Sequence, residues 1–125
     1  MTDLWPTELR VSKDRRILNV TFNDGRSYPL PAEMLRVLSP SAEVQGHGPG
    51  QKVTVPGKRE VAIGSLTPTG HYAVRIGFDD GHSSGIYTWT YLRELGEDGE
   101  RLFAEYEREL AEKGLSREPV ARGGR

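Results

Sequence analysis

The chain has 125 residues, a length that suits one domain with a short tail. Its 17 Lys and Arg residues against 18 Asp and Glu leave a net charge of −1, which argues against a protein that coats nucleic acid or an anionic membrane. There is no cysteine, so disulfides, thiolate metal sites and cysteine nucleophiles are excluded.

The first forty residues predict a β-meander followed by a short helix. Asn23-Asp24-Gly25 is typical of a tight hairpin turn. Pro31 suits the first position of a helix, because an N–H at that position would have no hydrogen-bond partner within the helix. Pro40 is predicted to end that helix. The predicted elements are strands over residues 8–12, 17–22 and 26–30 and a helix over 31–38.

The remainder predicts a long loop, three more strands and two helices. Residues 39–60 form the loop, and residues 98–113 carry an apolar face of Leu102, Phe103 and Tyr106 at helical spacing. The elements are strands over 61–66, 72–78 and 82–87, a short helix over 88–95 and a longer one over 98–113. The expected fold class is therefore α+β, with mostly antiparallel β-sheets, two short helices and one longer C-terminal helix.

The two halves of the chain share a pattern. Phe22-Asn23-Asp24-Gly25-Arg26-Ser27 is echoed by Phe78-Asp79-Asp80-Gly81-His82-Ser83, and each copy is followed by a predicted helix. Asp-Gly turns are common, so the echo is equally compatible with chance. The echo is therefore only an architectural hint of two strand–turn–strand–helix units.

Histidine is the scarcest residue type with catalytic or metal-binding chemistry. His82 follows an Asp-Asp-Gly turn that could bring Asp79 or Asp80 near its ring, which allows an acid–base pair or a metal site. In the metal site, His82, His47 and an acidic residue such as Asp80 could bind iron or zinc. The alternative is a hairpin histidine that makes structural hydrogen bonds. The His-x-Asp or His-x-Glu spacing of non-haem iron oxygenases is absent, and no serine lies in a Gly-x-Ser-x-Gly elbow.

The densest glycine cluster is a candidate binding loop. Gly46, Gly48, Gly50 and Gln51 form a segment in which backbone could approach a ligand closely. The alternative is a tight loop that needs positive φ. A phosphate-binding P-loop is not indicated, because Gly50 is followed by residues 51–55, which read as a strand rather than a helix.

Alternating aromatic residues form a candidate docking face. Tyr87, Trp89 and Tyr91 would project onto one face if the segment were a strand. In a helix, Trp89 would enter the core and Tyr91 would face water.

Two segments resemble a known family. DGRSYPLPAEMLRVLSPSAEVQGHGPGQ and the later FDDGHSSGIYTWTYLRELG are similar to stand-alone bacterial members of the gamma-butyrobetaine hydroxylase-like N-terminal domain family, over about residues 8–96. The resemblance implies a domain that precedes the catalytic domain in larger dioxygenases and binds a structural zinc there through three cysteines and a histidine. Related domains are also fused to iron–sulfur scaffold ATPases.

The implied zinc ligands are only partly present. The family's histidine falls on His82, whereas its cysteines fall on the Ser39-Pro40-Ser41 segment and Val44. The resemblance therefore implies that the zinc site is lost, and 125 residues leave no room for the catalytic domain.

We expect a single domain over residues 1–114 and a disordered tail over 115–125. The leading hypothesis is a non-catalytic binding or adaptor domain with a separate protein partner, linked to iron–sulfur or metal-enzyme assembly. The alternative is the metal-binding protein described above. We expect no nucleic-acid or membrane partner, and homodimerisation is left open. Neither an apolar stretch of about 20 residues nor a signal peptide is evident, so a cytoplasmic protein is expected.

Overall fold

The computed structural model describes residues 3–46 and 50–119. Two antiparallel sheets each contain three strands in chain order. The first contains β1 (Pro6–Val11), β2 (Ile17–Phe22) and β3 (Ser27–Pro31), and the second contains β4 (Ile63–Thr69), β5 (Ala73–Phe78) and β6 (Gly85–Thr88). The helices are α1 (Ala32–Val37), α2 (Ala42–Gln45) and α3 (Trp89–Glu112). The predicted α+β class is confirmed.

Strand burial follows from side-chain alternation. In β2, Leu18, Val20 and Phe22 are buried while the residues between them are half-buried. The central strand β5 is buried on both faces over most of its length. One hydrophobic core joins both sheets to α1 and α3. Within the described residues, no helix has an apolar stretch long enough to cross a bilayer.

The sequence echo corresponds to two turns with the same hydrogen bonds. Phe22 N–H donates to the Arg26 carbonyl and Phe78 N–H to the His82 carbonyl, each at 2.8 Å. The third turn residue is Gly25 in one case, at φ +88°, and Gly81 in the other, at φ +93°. Both sheets are thus meanders built around the same kind of turn.

The helices differ from the prediction in two respects. The segments 88–95 and 98–113 form the single helix α3, and the second short helix is α2, within the predicted loop. Thr88 caps α3 by accepting a 3.0 Å hydrogen bond from the Tyr91 N–H. The helix continues through Gly96, where the absence of a side chain lets the Tyr28 ring pack directly against the helix. A Cβ at this position would lie only 2.5 Å from Tyr28 Cγ. Residues 51–55, which read as a strand, contain no regular element.

The prediction of a disordered tail is wrong for residues 115–119. The Arg117 guanidinium forms two 2.7 Å hydrogen bonds with the Glu33 carboxylate. The Ser116 and Arg117 carbonyls accept backbone hydrogen bonds from Gly57 and Arg59. Charge-assisted paired bonds are strong enough to hold a segment that has no apolar pattern. Residues 120–125 lie outside the described part of the chain.

Candidate functional site

The turn between β5 and β6 holds His82 inside the fold. Gly81 adopts positive φ, and Asp80 Oδ1 accepts a 3.0 Å hydrogen bond from the His82 backbone N–H. The His82 side chain is 2% exposed. The sequence predicted that Asp79 or Asp80 would lie near the His82 ring, whereas the observed contact joins the Asp80 carboxylate to the His82 backbone N–H.

The imidazole of His82 contacts three side chains that follow α1. Its Nε2 lies 3.0 Å from Ser39 Oγ and 3.5 Å from Ser41 Oγ, and its Nδ1 lies 2.9 Å from Glu43 Oε1. A carboxylate only accepts hydrogen bonds, so Nδ1 donates to Glu43. In the neutral ring, Nε2 then accepts from the Ser39 hydroxyl. We refer to Ser39, Ser41, Glu43 and His82 as the histidine network.

The Asp80 carboxylate is occupied by two cations. Its Oδ2 lies 2.7 Å from Arg36 Nε and 2.6 Å from Lys58 Nζ. Burial raises the pKa of Asp80, but hydrogen bonds from Lys58, the His82 N–H and Arg36 outweigh burial and lower the pKa to about 2. Asp80 is thus an ionised anchor for the turn, neutralised by Arg36 and Lys58.

The predicted metal site of His82, His47 and Asp80 is not assembled by the described residues. Asp80 is held by Arg36 and Lys58, and both ring nitrogens of His82 have protein partners. Among residues 3–46 and 50–119, no group of three or more His, Asp or Glu side chains could hold a metal ion. His47 lies outside those ranges.

The zinc implied by the family resemblance does not fit the residues present. Ser39 and Ser41 do meet His82, so the positions that correspond to zinc ligands lie together. However, their hydroxyls stand at hydrogen-bond distances from the imidazole, and Val44 is a buried hydrocarbon. Structural zinc requires thiolates or imidazoles at about 2.0–2.3 Å. In this chain, hydrogen bonds therefore join the turn that carries His82 to the segment that follows α1.

The histidine network also has the connectivity of a serine–histidine–acid triad. Sequence reasoning missed it, because Ser39 and Glu43 are 43 and 39 positions from His82 and no local motif links them. Ser39 is 0% exposed, and it lines neither of the two surface cavities described below. A nucleophile must reach its substrate. In this arrangement the histidine network provides hydrogen-bond partners for the buried polar atoms of Ser39 and His82.

The glycine cluster is described only in part. Gly46 ends α2 at φ +76°, and a Cβ there would lie 2.5 Å from both the Cβ and the carbonyl oxygen of Gln51. Glycine at this position therefore allows a close approach within the loop itself. Gly50 has positive φ, and, its chain neighbours aside, no atom of the described residues lies within 4 Å of where its Cβ would be. Gly48 lies outside the described residues, so the binding loop stays a prediction.

The predicted docking face of Tyr87, Trp89 and Tyr91 is wrong for Tyr87. Because β6 ends at Thr88 and α3 begins at Trp89, the three rings do not share a strand face. Tyr87 is fully buried and donates to the Leu35 carbonyl. Tyr91 is half-buried and donates to the Leu38 carbonyl, and Trp89 is also half-buried.

The larger surface cavity, of about 880 Å³, lies between β3, α1 and α3. The Arg117–Glu33 pair and the hydrogen bond from the Tyr28 hydroxyl to Glu97 both lie in its wall. Apolar side chains, including Met34 and Phe103, complete the lining. The charged lining residues named here are already paired with each other or with neighbours.

The smaller cavity, of about 490 Å³, is rich in aromatic residues. We call it the aromatic pocket, and its lining is Asp3, Leu4, Trp5, His71, Tyr72, Trp89 and Thr90. Trp5 is 49% exposed and Tyr72 is 64% exposed. Sequence reasoning singled out only Trp89 in this set, because the three rings come from separate segments with no shared motif.

Comparison with known proteins identifies the family. The profile of the gamma-butyrobetaine hydroxylase-like N-terminal domain matches residues 9–93. A solution NMR structure, 46% identical, has a TM-score of 0.80, and the match covers 93% of this chain and 91% of that one. A second, 41% identical, has a TM-score of 0.78 and covers 94% and 89%.

A crystal structure gives a third match. It is a protein of unknown function of the DUF971 family from Acidithiobacillus ferrooxidans, 40% identical, with a TM-score of 0.60. The match covers 73% of this chain and 91% of that one. Comparison with curated proteins gives no significant match. The resemblance seen in the residues is confirmed, and the chain belongs to the gamma-butyrobetaine hydroxylase-like N-terminal domain family.

Proposed function

We propose that this chain is a non-catalytic binding domain that acts as an adaptor for a separate protein. The observation that carries the proposal is a contrast between interior and surface. Ser39 and His82, the residues best suited to chemistry, are 0% and 6% exposed and bonded to each other, whereas the exposed aromatic rings line an open surface pocket. Accessible aromatic surface is typical of a protein interface.

The biological setting follows from the family resemblance. Because related domains are fused to iron–sulfur scaffold ATPases, we place the adaptor in iron–sulfur or metal-enzyme assembly. A chain without cysteine needs no oxidising compartment to fold, and we propose that it acts in the cytoplasm.

Affinity capture tests the proposal. Tagged chain expressed at its native level, crosslinked briefly and purified, is expected to recover one partner in near-stoichiometric amount. The control is a tagged, unrelated domain of similar size and charge. Recovery of no protein above that control would overturn the adaptor function.

A further inference from the structure

The aromatic pocket offers chemistry that suits a cation. Trp5, Tyr72 and Trp89 line it together with Asp3, and within residues 3–46 and 50–119 neither lysine nor arginine is among its lining residues. Aromatic faces attract cations through the ring quadrupole, and a carboxylate adds charge complementarity. The indole N–H of Trp89 donates to the His71 carbonyl at 2.9 Å, so this ring offers its faces and edges rather than its donor.

Hydrogen bonds fix the segments that carry the rings. Asn23 binds the N-terminal segment three times: its side chain accepts from Trp5 N–H and donates to the Asp3 carbonyl, and its own N–H donates to the Trp5 carbonyl. Trp89 N–H donates to the Tyr72 carbonyl at 2.9 Å, which ties the β4–β5 turn to the start of α3. The pocket is therefore preorganised.

Glycine at the β4–β5 turn also places the Tyr72 ring. Gly70 has φ +60°, and a Cβ there would lie 3.2 Å from Tyr72 Cε1. The ring thus lies beside the turn and stays largely exposed, at 64%. Exposure of a large ring on a fixed backbone leaves apolar area that a partner can cover.

The same chain already stacks arginine on aromatic rings. The Arg93 guanidinium carbon lies 5.1 Å from the Phe22 ring centroid, and the Arg117 guanidinium carbon lies 5.2 Å from that of Phe103. Arginine is the cation whose planar group stacks best on such surfaces. In the aromatic pocket the rings are present without the arginine.

We infer that the aromatic pocket binds an arginine side chain from a basic segment of the partner protein. This inference rests on the proposed adaptor function. A free small cation is a poorer occupant, because ligand sites enclose most of a small molecule, whereas Trp5 is 49% exposed and Tyr72 is 64% exposed. A protein partner would cover the rim as well, and Trp, Tyr and Arg are the residues that dominate such contacts.

A peptide titration followed by NMR tests this inference. The chain has two tryptophans, and both line the pocket, so their indole N–H signals report directly on it. The probes are acetyl-Gly-Arg-Gly-amide and its citrulline counterpart, which has nearly the same shape without the charge. The arginine peptide is expected to shift both signals and to bind about threefold or more tightly than the citrulline peptide.

Three variants complete the test. Asp3→Asn and Tyr72→Ala are expected to weaken arginine-peptide binding about threefold, whereas Glu112→Gln, at the opposite end of α3, is expected to leave it unchanged. Tyr72 is exposed, so its replacement should not unfold the domain. The inference would be overturned by equal binding of the two peptides, by the absence of a shift with either peptide, or by wild-type binding of the arginine peptide to both pocket variants.

The two proposals fail in different ways. If the arginine peptide does not bind but affinity capture still recovers a stoichiometric partner, the assignment of this pocket is wrong and the adaptor function stands. If capture recovers no partner, the adaptor function is wrong whatever the peptide does.

Discussion

The imidazole of His82 joins the turn between β5 and β6 to the segment that follows α1. It does so through the hydroxyl of Ser39 and the carboxylate of Glu43, on opposite sides of the ring. Buried polar groups of this kind contribute little when paired and destabilise strongly when left unpaired. The Ser39 hydroxyl is the more sensitive partner, because it is fully buried.

Replacing Ser39 with alanine should lower the free energy of unfolding by about 1–2 kcal/mol, because His82 Nε2 loses its nearer partner. Chemical denaturation followed by circular dichroism measures the change. Ser84→Ala, at an exposed position, is the control and should shift the midpoint little. Equal stability of the Ser39 variant and wild type would show that the network contributes nothing.

The lowered pKa of Asp80 predicts that the free energy of unfolding depends on pH in the acidic range. Its folded-state pKa of about 2 lies below the ordinary value of 3.8, so its stabilising effect is present above about pH 4 and is lost as pH falls towards 2. The free energy of unfolding of wild type should exceed that of Asp80→Asn by about 1 kcal/mol at pH 5, a figure reduced for partial solvation.

Unfolding curves for both proteins between pH 5 and pH 2 check this. The difference between wild type and Asp80→Asn should shrink over that interval. A difference that stays constant with pH would contradict the assignment of Asp80 as the ionised partner of Arg36 and Lys58.

At the level of elements, α3 depends on two glycines within its own length. Gly96 lies against the Tyr28 ring and Gly99 against Met34. Glycine weakens an isolated helix by about 1 kcal/mol relative to alanine, so the sequence favours a break here. The packing against Tyr28 outweighs that preference, and no local pattern could reveal it.

Gly96→Ala should destabilise the fold by about 1–3 kcal/mol despite its better helix propensity, because the new Cβ would overlap a ring carbon 2.5 Å away. Gly99→Ala is the matched control. Its Cβ would meet the flexible Met34 side chain at 2.9 Å, so its effect should be smaller. Thermal unfolding of both variants measures the difference, and the reverse order would contradict this account.

The paired turns show what local sequence does predict. Asp24 and Asp80 each accept the backbone N–H two residues on, and Gly25 and Gly81 supply the positive φ. These bonds lie within five residues, so the sequence carries all the information. The aromatic pocket is the opposite case. Trp5 is held by Asn23 and Trp89 by the His71 carbonyl, and in each contact the two residues are 18 positions apart in the sequence.

At the level of the whole molecule, Arg117 fastens the C-terminal segment to α1. It pairs with the Glu33 carboxylate, whose side chain is only 9% exposed, and it stacks on Phe103. Removal of one partner would leave the other charge largely buried and uncompensated. Residues 115–119 therefore pack against the folded domain.

Arg117→Ala should reduce the free energy of unfolding by about 1–3 kcal/mol. The change should appear as a lower denaturant midpoint and as faster amide exchange near Gly57, which donates to the Ser116 carbonyl. Arg108→Ala, at an exposed position on α3, is the matched control. An Arg117 variant as stable as this control would mean that residues 115–119 add nothing to the fold.

The proposed adaptor function requires that the accessible surface of this domain, rather than its buried histidine network, binds the partner. The most direct measurement compares partner recovery by crosslinked affinity capture for Tyr72→Ala and Ser39→Ala, each normalised to folded protein. We expect Tyr72→Ala to lose most of the partner and Ser39→Ala to retain it. Loss of the partner with Ser39→Ala and full retention with Tyr72→Ala would show instead that the histidine network is needed for partner binding and that the accessible aromatic surface is not.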